Sequence, residues 1–528
     1  MARGTPVPKR DEVPMKYTTF HIPPVTNTKN VSSSYLKTDA QTIWARNAAL
    51  AQRKRTADEA FTGAGAGKEK ALPNTDSAPG AKTVVIHPGS RWLKIGMASE
   101  VFPVSIPNVI ARKQRTQPVP QPVFHSGIIR PESESEKPND YEISADAEEP
   151  FVERTASIRS SLLARMKFYK LQVLPNASSE ATRFNANYKP TTIADHNDPY
   201  RVEWLGSAAN PITTEEYFIG EKALTFGDPE AAGFTVKWPM RGNSLNTRDY
   251  DSAQAVISDI ETIWTEALRQ ELKITRQQYK DLSVILVIPD YYDRFYVREL
   301  VNVLLVQMGF AQVCIQQESL CAAFGAGLST ACVVDIGAAK TSIACVDEGQ
   351  VVPDTRITLD FGGDDITEYL YYLLKGIDCP YRECQLNRMY DWNIMTRLKK
   401  SICSLAETDV ALNLYDFDVR RPGHITERYT LQVYDEPVLA AMCIFEPRII
   451  DFDTKRATRR LLWTPENVED IPDFSSDVLT QAMLISTQHL LPPQPPAQLF
   501  AQVPQLDGAH DGGDEDTEMD VRPQTGDE

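Results

Sequence analysis

The sequence has no long apolar run, no C-x-x-C pair and no leader-like start, and each absence removes a class of function. Its longest apolar stretches, such as SVILVI at 283–288, fall far short of the roughly 20 residues that a bilayer requires, so no membrane partner is expected. The opening MARGTPVPKRDEVPMK lacks the uninterrupted apolar core of a secretory signal, which predicts a chain on the cytosolic side, under reducing conditions. All eight cysteines lie between Cys314 and Cys443. Cys379 and Cys384 come nearest to a ligand spacing, but most of the cysteines sit in apolar strand or helix patterns, so no metal site is expected. No solenoid repeat occurs at any fixed period.

What is present is enough apolar residue for real cores: 42% of 528 residues predicts two or three domains. The net charge of −17 would repel DNA from the molecule as a whole, yet local distribution decides polyanion binding. Residues 1–57 carry ten Lys and Arg against Asp11, Glu12 and Asp39. In this basic arm Lys9, Arg10, Lys16, Arg53, Lys54 and Arg55 are candidate phosphate contacts acting by counterion release, and the last three form a short cluster of the kind that aids nuclear import. Residues 132–153 hold nine acids and one base, Lys137, and from Gln505 onward an acidic run has Arg522 as its single Lys or Arg. Such tracts are either solvated linkers or interaction tails, the basic one for DNA and the acidic ones for histones.

Between the tracts, strand and helix alternate. SVILVI reads as a buried strand, and DRFYVRELVNVLLVQMGF (293–310) places Val297, Leu300, Val301, Leu304 and Leu305 on one helical face. QVCIQQ (312–317) follows as a strand, then a helix from Glu318 to about Ala326. Upstream, Ser252 to about Leu272 is an amphipathic helix with Val256, Ile257, Ile260, Ile263, Trp264 and Leu268 at three-to-four spacing, and Asp251 or Ser252 is placed to cap it. This rhythm implies an α/β core with parallel strands. Within it, VVIHPGSRWLKIG (84–96) and CVVDIGAAKTSIACVDEG (332–349) echo each other: apolar strand, short turn with a glycine (Gly89; Gly337), second strand. Two such hairpins fit a duplicated domain whose halves face each other across a cleft, each offering turn amides to one end of a phosphate chain.

These hairpins resemble the two phosphate loops of the actin family. GFTVKWPMRGNSLNTRDYDSAQAVISDIETIW (233–264) is similar to the strand, turn and helix that lead back into actin's small domain. RITLDFGGDDITEYLYYLL (356–374) resembles the entry to its fourth subdomain, and MCIFEPRIIDF (442–452) the re-entry into its third. The resemblance implies an α/β, actin-like fold of the actin, hexokinase and heat-shock-seventy type, with duplicated ribonuclease-H-like domains and large insertions. It divides the chain into a disordered basic extension (1–82), the first part of the small domain with the first loop (83–124), and an insertion with an acidic linker and a basic helix (125–195). The rest of the small domain (196–310) follows, then the large domain with the second loop (311–452), interrupted near 404–440, and a Pro-rich acidic tail (453–528). The family's late Gly-Gly-Gly adenosine floor is not recognisable, and the tail offers one amphipathic helix at 475–491. The chain is therefore expected to stop inside an insertion, short of the family's C-terminal part, and to expose apolar surface that this part would cover.

The IHPGSR turn, QESLCAAFGAGLSTACVVDIGAAKTS, PYRECQLNRM and IRSSLLARMKFYKLQVLPN are most similar to nuclear actin-related proteins of the Ino-eighty chromatin remodelling complex. That implies a non-catalytic nuclear scaffold serving transcription regulation and DNA repair. Its implied partners are conventional actin, another nuclear actin-related protein, the motor ATPase subunit, histones and DNA. For nucleotide, the resemblance implies Gly89, Ser90, Lys94, Asp335, Gly337 and Thr341 as binding residues.

It also marks departures. Actin's aspartate near the hydrated magnesium is His87 here, followed by Pro88, which has no amide to donate. An acid of the second loop is Ala338, and the water-orienting histidine is Ser342. The catalytic glutamine is Glu318, an anion that would repel a γ-phosphate. Removing one preorganised group costs about 10² to 10³ in rate, so no catalytic residue and no metal cofactor are expected, and ATP, where bound, is a structural ligand that is not hydrolysed. The readings set against this one are a nucleotide-hydrolysing actin-like ATPase or sugar-kinase-like phosphotransferase, and a filament-forming cytoskeletal actin relative. IRSSLLARMKFYK (158–170) carries Arg159, Arg165, Lys167 and Lys170 without an acid. It reads either as a helix docked on its own core through Leu162, Leu163, Met166 and Phe168, or as a DNA contact.

Overall fold

A computed structural model describes residues 80–114, 128, 150–206, 215–452 and 455. The basic arm, the acidic tract before 150 and everything beyond 455, including 475–491, lie outside the described residues.

The chain opens with a hairpin, β1 (Thr83–Pro88) and β2 (Trp92–Met97), then β3 (Val104–Pro107) and β4 (Ile110–Lys113). The next described segment contributes α1 (Pro150–Phe168), α2 (Ala177–Asn187) and β5 (Thr191–Ile193). Next come β6 (Tyr217–Ile219), β7 (Phe234–Lys237), a small hairpin of β8 (Met240–Arg241) and β9 (Ser244–Leu245), and α3 (Ala253–Gln270). The expected alternation follows as β10 (Ser283–Ile288), α4 (Arg294–Asn302), β11 (Gln312–Gln317) and α5 (Glu318–Ala326). The second hairpin is β12 (Ala331–Ile336) and β13 (Thr341–Asp347), flanked by β14 (Gln350–Val351) and β15 (Ile357–Leu359). Then come α6 (Gly363–Gly376), α7 (Met389–Ile402), β16 (Asn413–Val419), β17 (Thr426–Val433) and α8 (Glu436–Met442).

One sheet runs in the order β11-β10-β1-β2-β3, parallel from β11 to β1 and antiparallel beyond. Register sets Val84 beside Val284 and Ile86 beside Leu286, and all four are buried, as period-2 alternation requires of a face that meets helices. The apolar stripe of α3 (Val256, Ile260, Ile263, Trp264, Leu268) shares that core. Its start is set by Ser252, whose side chain accepts from the Ala255 amide at 3.3 Å, satisfying a donor that the helix itself leaves unpaired. The stretch 293–310 is not one regular helix. After α4 the backbone widens into a π-helical turn, Val303–Met308, ended by Gly309 at φ 81°. The extra residue in that turn rotates the face, so Leu304 and Met308 are buried while Leu305, expected on the same face, is exposed.

A second core gathers α6, α7, α8, β16 and β17, and α1 and α2 join it. Leu162 and Met166 of α1 pack there with Tyr369, Leu370, Leu431 and Leu439, and β5 pairs antiparallel with β17, Ile193 opposite Thr426. Asn185 of α2 is buried and donates to the carbonyls of Ile377 (3.0 Å) and Gln432 (2.9 Å) while accepting from the Gln432 amide (2.8 Å). A buried amide so fully bonded fixes α2 on β17. The segments 150–193 and 413–433, far apart in sequence, thus form one body. Phe168 takes no part in the docking expected of it: it is 77% exposed, because α1 ends there and its buried stripe stops at Met166.

Candidate functional site

The two hairpins are built alike. The Gly89 amide donates to the Trp92 carbonyl at 2.9 Å, and the Gly337 amide to the Lys340 carbonyl at 2.8 Å. A Cβ at Gly89 would lie 2.8 Å from the Trp92 oxygen, and one at Gly337 3.1 Å from the Lys340 oxygen, so this closure requires glycine in the first turn and favours it in the second. Two residues before each glycine stand His87 and Asp335; directly opposite them in register are Lys94 and Ser342. The amides of Ser90, Ala338 and Ala339 donate to no group among the described residues. Turn amides of that kind fit a phosphate oxygen, and the exposed Lys94 adds a cation beside them.

The floor under the turns is occupied by the chain's own charges. Glu318 begins α5 where β11 ends, and Lys340 Nζ lies 2.6 Å from its Oε1. Ser342 Oγ donates to the same oxygen at 2.8 Å, and all three side chains are buried. Asp290, after β10, accepts the amide of Ser319 at 3.1 Å and its hydroxyl, capping α5. Burial raises the Asp290 pKa, with the two Ser319 bonds opposing. Burial likewise lowers that of His87; the carboxylates of Glu318 and Asp335 oppose this, while Lys94 and Lys340 reinforce it. The imidazole is therefore neutral near pH 7. Among the described residues no group of His, Cys, Asp and Glu could hold a metal ion. Cys379 and Cys384 are free thiols in the second core, pushed up by burial, Cys379 to about 11.

The remaining sequence candidates fall in different places. Gly89, Ser90, Lys94, Asp335 and Gly337 line the facing turns. Ser90 Oγ accepts the Gly242 amide at 2.9 Å, tying the first turn to the β8–β9 hairpin. The buried Thr341 hydroxyl donates to the Phe361 carbonyl at 2.9 Å, so it braces the second turn from behind and is not presented to a ligand. On α1, Arg159 grips Asp435 with two bonds (2.8 and 3.2 Å) and Arg165 bonds Glu407 at 2.6 Å, whereas Lys167 and Lys170 are exposed. Lys9, Arg10, Lys16, Arg53, Lys54 and Arg55 lie outside the described residues. Sequence reasoning missed Lys340 as the partner of Glu318. The signal was one basic residue inside an otherwise small and apolar turn, facing a lone anion.

A family model described as Actin matches residues 78–412. The probable actin-related protein 8 of Schizosaccharomyces pombe is 32% identical over 487 residues, covering 90% of this chain and 72% of that protein. The chain belongs to the actin family, within its actin-related protein 8 branch. Within this branch, actin-like protein ARP8 of Saccharomyces cerevisiae is 34% identical over 80% of this chain and 47% of its own length, and human actin-related protein 8 is 34% identical over 69% and 56%. The chain thus spans about half of these two relatives. Human Arp8, solved in its ATP-bound state, superposes with a TM-score of 0.61 at 31% identity, covering 72% of this chain and 73% of that one. The duplicated α/β architecture with facing turns is accordingly the actin fold.

Proposed function

We propose that the chain is a non-catalytic nuclear scaffold subunit of an ATP-dependent chromatin remodelling complex, assembling with conventional actin and another nuclear actin-related protein on the motor subunit and binding DNA and histones. Membership of the actin-related protein 8 branch supports the scaffold role. The observation that carries the non-catalytic part is Glu318, at the place of actin's catalytic glutamine, held in a buried ion pair with Lys340 and bonded by Ser342. A carboxylate held in this way neither donates to an attacking water nor approaches a γ-phosphate that it would repel. Neutral His87 offers no anion to a hydrated cation. The amides of Ser90, Ala338 and Ala339, with Lys94, support ATP as a structural ligand. DNA contact falls to the basic arm and to Lys167 and Lys170 at the end of α1, by counterion release.

Purified protein given magnesium and ATP should retain ATP and release phosphate at the buffer background; turnover abolished by Asp335→Ala would overturn this reading. Affinity capture from nuclear extract should recover conventional actin and a helicase-like motor, and recovery of neither would remove the scaffold role. DNA retention should fall steeply with salt and vanish on deleting residues 1–57.

A further inference from the structure

Arg91 closes the first turn and reaches out of it. Its Nε donates to Asp364 Oδ2 at 3.0 Å, with both side chains about three-quarters buried. The guanidinium lies 4.5 Å from the ring centre of Trp238, between β7 and β8, and 5.3 Å from that of Trp392 on α7. Two indoles from opposite halves therefore hold one cation between them. Asp364 stands in the first turn of α6, whose Gly363 and Asp364 amides donate to the carbonyls of Gly337 and Ala338, both at 2.8 Å. A continuous protein path thus runs from the first turn through Arg91, Asp364 and the α6 backbone to the second turn. Lys399 Nζ on the Gly363 carbonyl (2.6 Å) secures the same helix start, and Asn243 Nδ2 on Thr358 Oγ1 (3.1 Å) crosses between the halves nearby.

In a two-lobed nucleotide protein the ligand's phosphates ordinarily make the bridge between facing turns, each turn gripping one end. Here the chain makes it with its own side chains. We propose that the Arg91–Asp364 pair, clamped between Trp238 and Trp392, is a latch that keeps the two halves together independently of nucleotide. Asp364 also lies near Arg241, whose pKa burial lowers to about 10, with Arg248 and Arg91 adding to the fall and the carboxylates of Asp249 and Asp364 opposing it. Loss of the carboxylate therefore leaves two arginines opposed, and Asp364→Asn opens the seam more than Arg91→Ala.

The latch is read by amide hydrogen exchange of residues 240–246 and 359–366 on the full chain, with and without magnesium ATP. Wild type should show the same protection in both conditions. Arg91→Ala should exchange roughly ten- to a hundredfold faster without nucleotide, and Asp364→Asn faster still. Only the ATP arm rests on the nucleotide reading above. Lost protection that ATP restores supports both; lost protection that ATP leaves unchanged supports the latch and counts against nucleotide binding. Exchange in folded Arg91→Ala and Asp364→Asn equal to wild type would overturn the latch whatever ATP does.

Discussion

Replacing Lys340 by methionine isolates the contact on which the proposed lack of hydrolysis depends. The ammonium lies 2.6 Å from Glu318 Oε1, with the two side chains only 9% and 8% exposed. Removing one member of a buried pair strands the other charge and costs roughly 3–5 kcal/mol, of which the remaining Ser342 hydroxyl offsets roughly 1 kcal/mol. The expected loss is about 2–4 kcal/mol, or about 30- to 1,000-fold in the local opening equilibrium. Adding Glu318→Gln to Lys340→Met removes the stranded charge, and the double-mutant cycle should give a coupling of about 2 kcal/mol. Amide exchange over residues 318–323 and 340–343 is the suitable assay, since it reads the opening of this site directly. Equal exchange in Lys340→Met and wild type would refute the pair, and with it the ground for denying Glu318 a role in hydrolysis.

Other outcomes follow from the same structure. Burial, with Asp435 adjacent, pushes Glu436 up to about 7 from 4.5; the fold then holds a proton that the unfolded chain releases, so stability declines as pH rises from about 4.5 to about 7. Glu436→Gln should flatten that decline, by roughly 1–3 kcal/mol at pH 8, as read from thermal midpoints at pH 5 and 8. Leu162→Ala empties a fully buried site on α1 and should cost roughly 2–5 kcal/mol, seen as protease cleavage within 150–168. A Cβ at Gly362 would lie 2.5 Å from the Gly337 oxygen, whereas one at Gly376 meets open space; Gly362→Ala should lower the thermal midpoint and Gly376→Ala should not. Lys167→Ala with Lys170→Ala should reduce the salt slope of DNA binding by about 2, while Arg159→Gln, whose guanidinium is already paired, should leave it unchanged.

Local pattern carried much of this into view from sequence. The stripe of α3, its Ser252 cap and the two glycine turns were legible because each is written within a few consecutive residues. Leu305 and Phe168 were misplaced for a related reason: a π-helical turn and a helix end break the 3.6-residue period on which the reading rests. Arg159 and Arg165 left α1 open between a docked helix and a DNA contact, because Asp435 and Glu407, which neutralise them, lie more than 240 residues away. Lys340 and Arg91 were both visible in the quoted turns, but periodicity says nothing about which charge meets which across a seam.

The pairing of β5 with β17 also sets a schedule for the ribosome. Residue 193 leaves the tunnel roughly 230 residues before its partner strand, a wait of about ten to fifty seconds at ordinary elongation rates. Until Tyr369 and Leu370 of α6 emerge α1 has nothing to lie against, and its cover is complete only with Leu439, so Leu162, Met166 and Ala177 are meanwhile open to any passing apolar surface. Nascent chains stalled between positions 200 and 400 should therefore recruit chaperones at 150–193, and that recruitment should end once residue 442 has emerged.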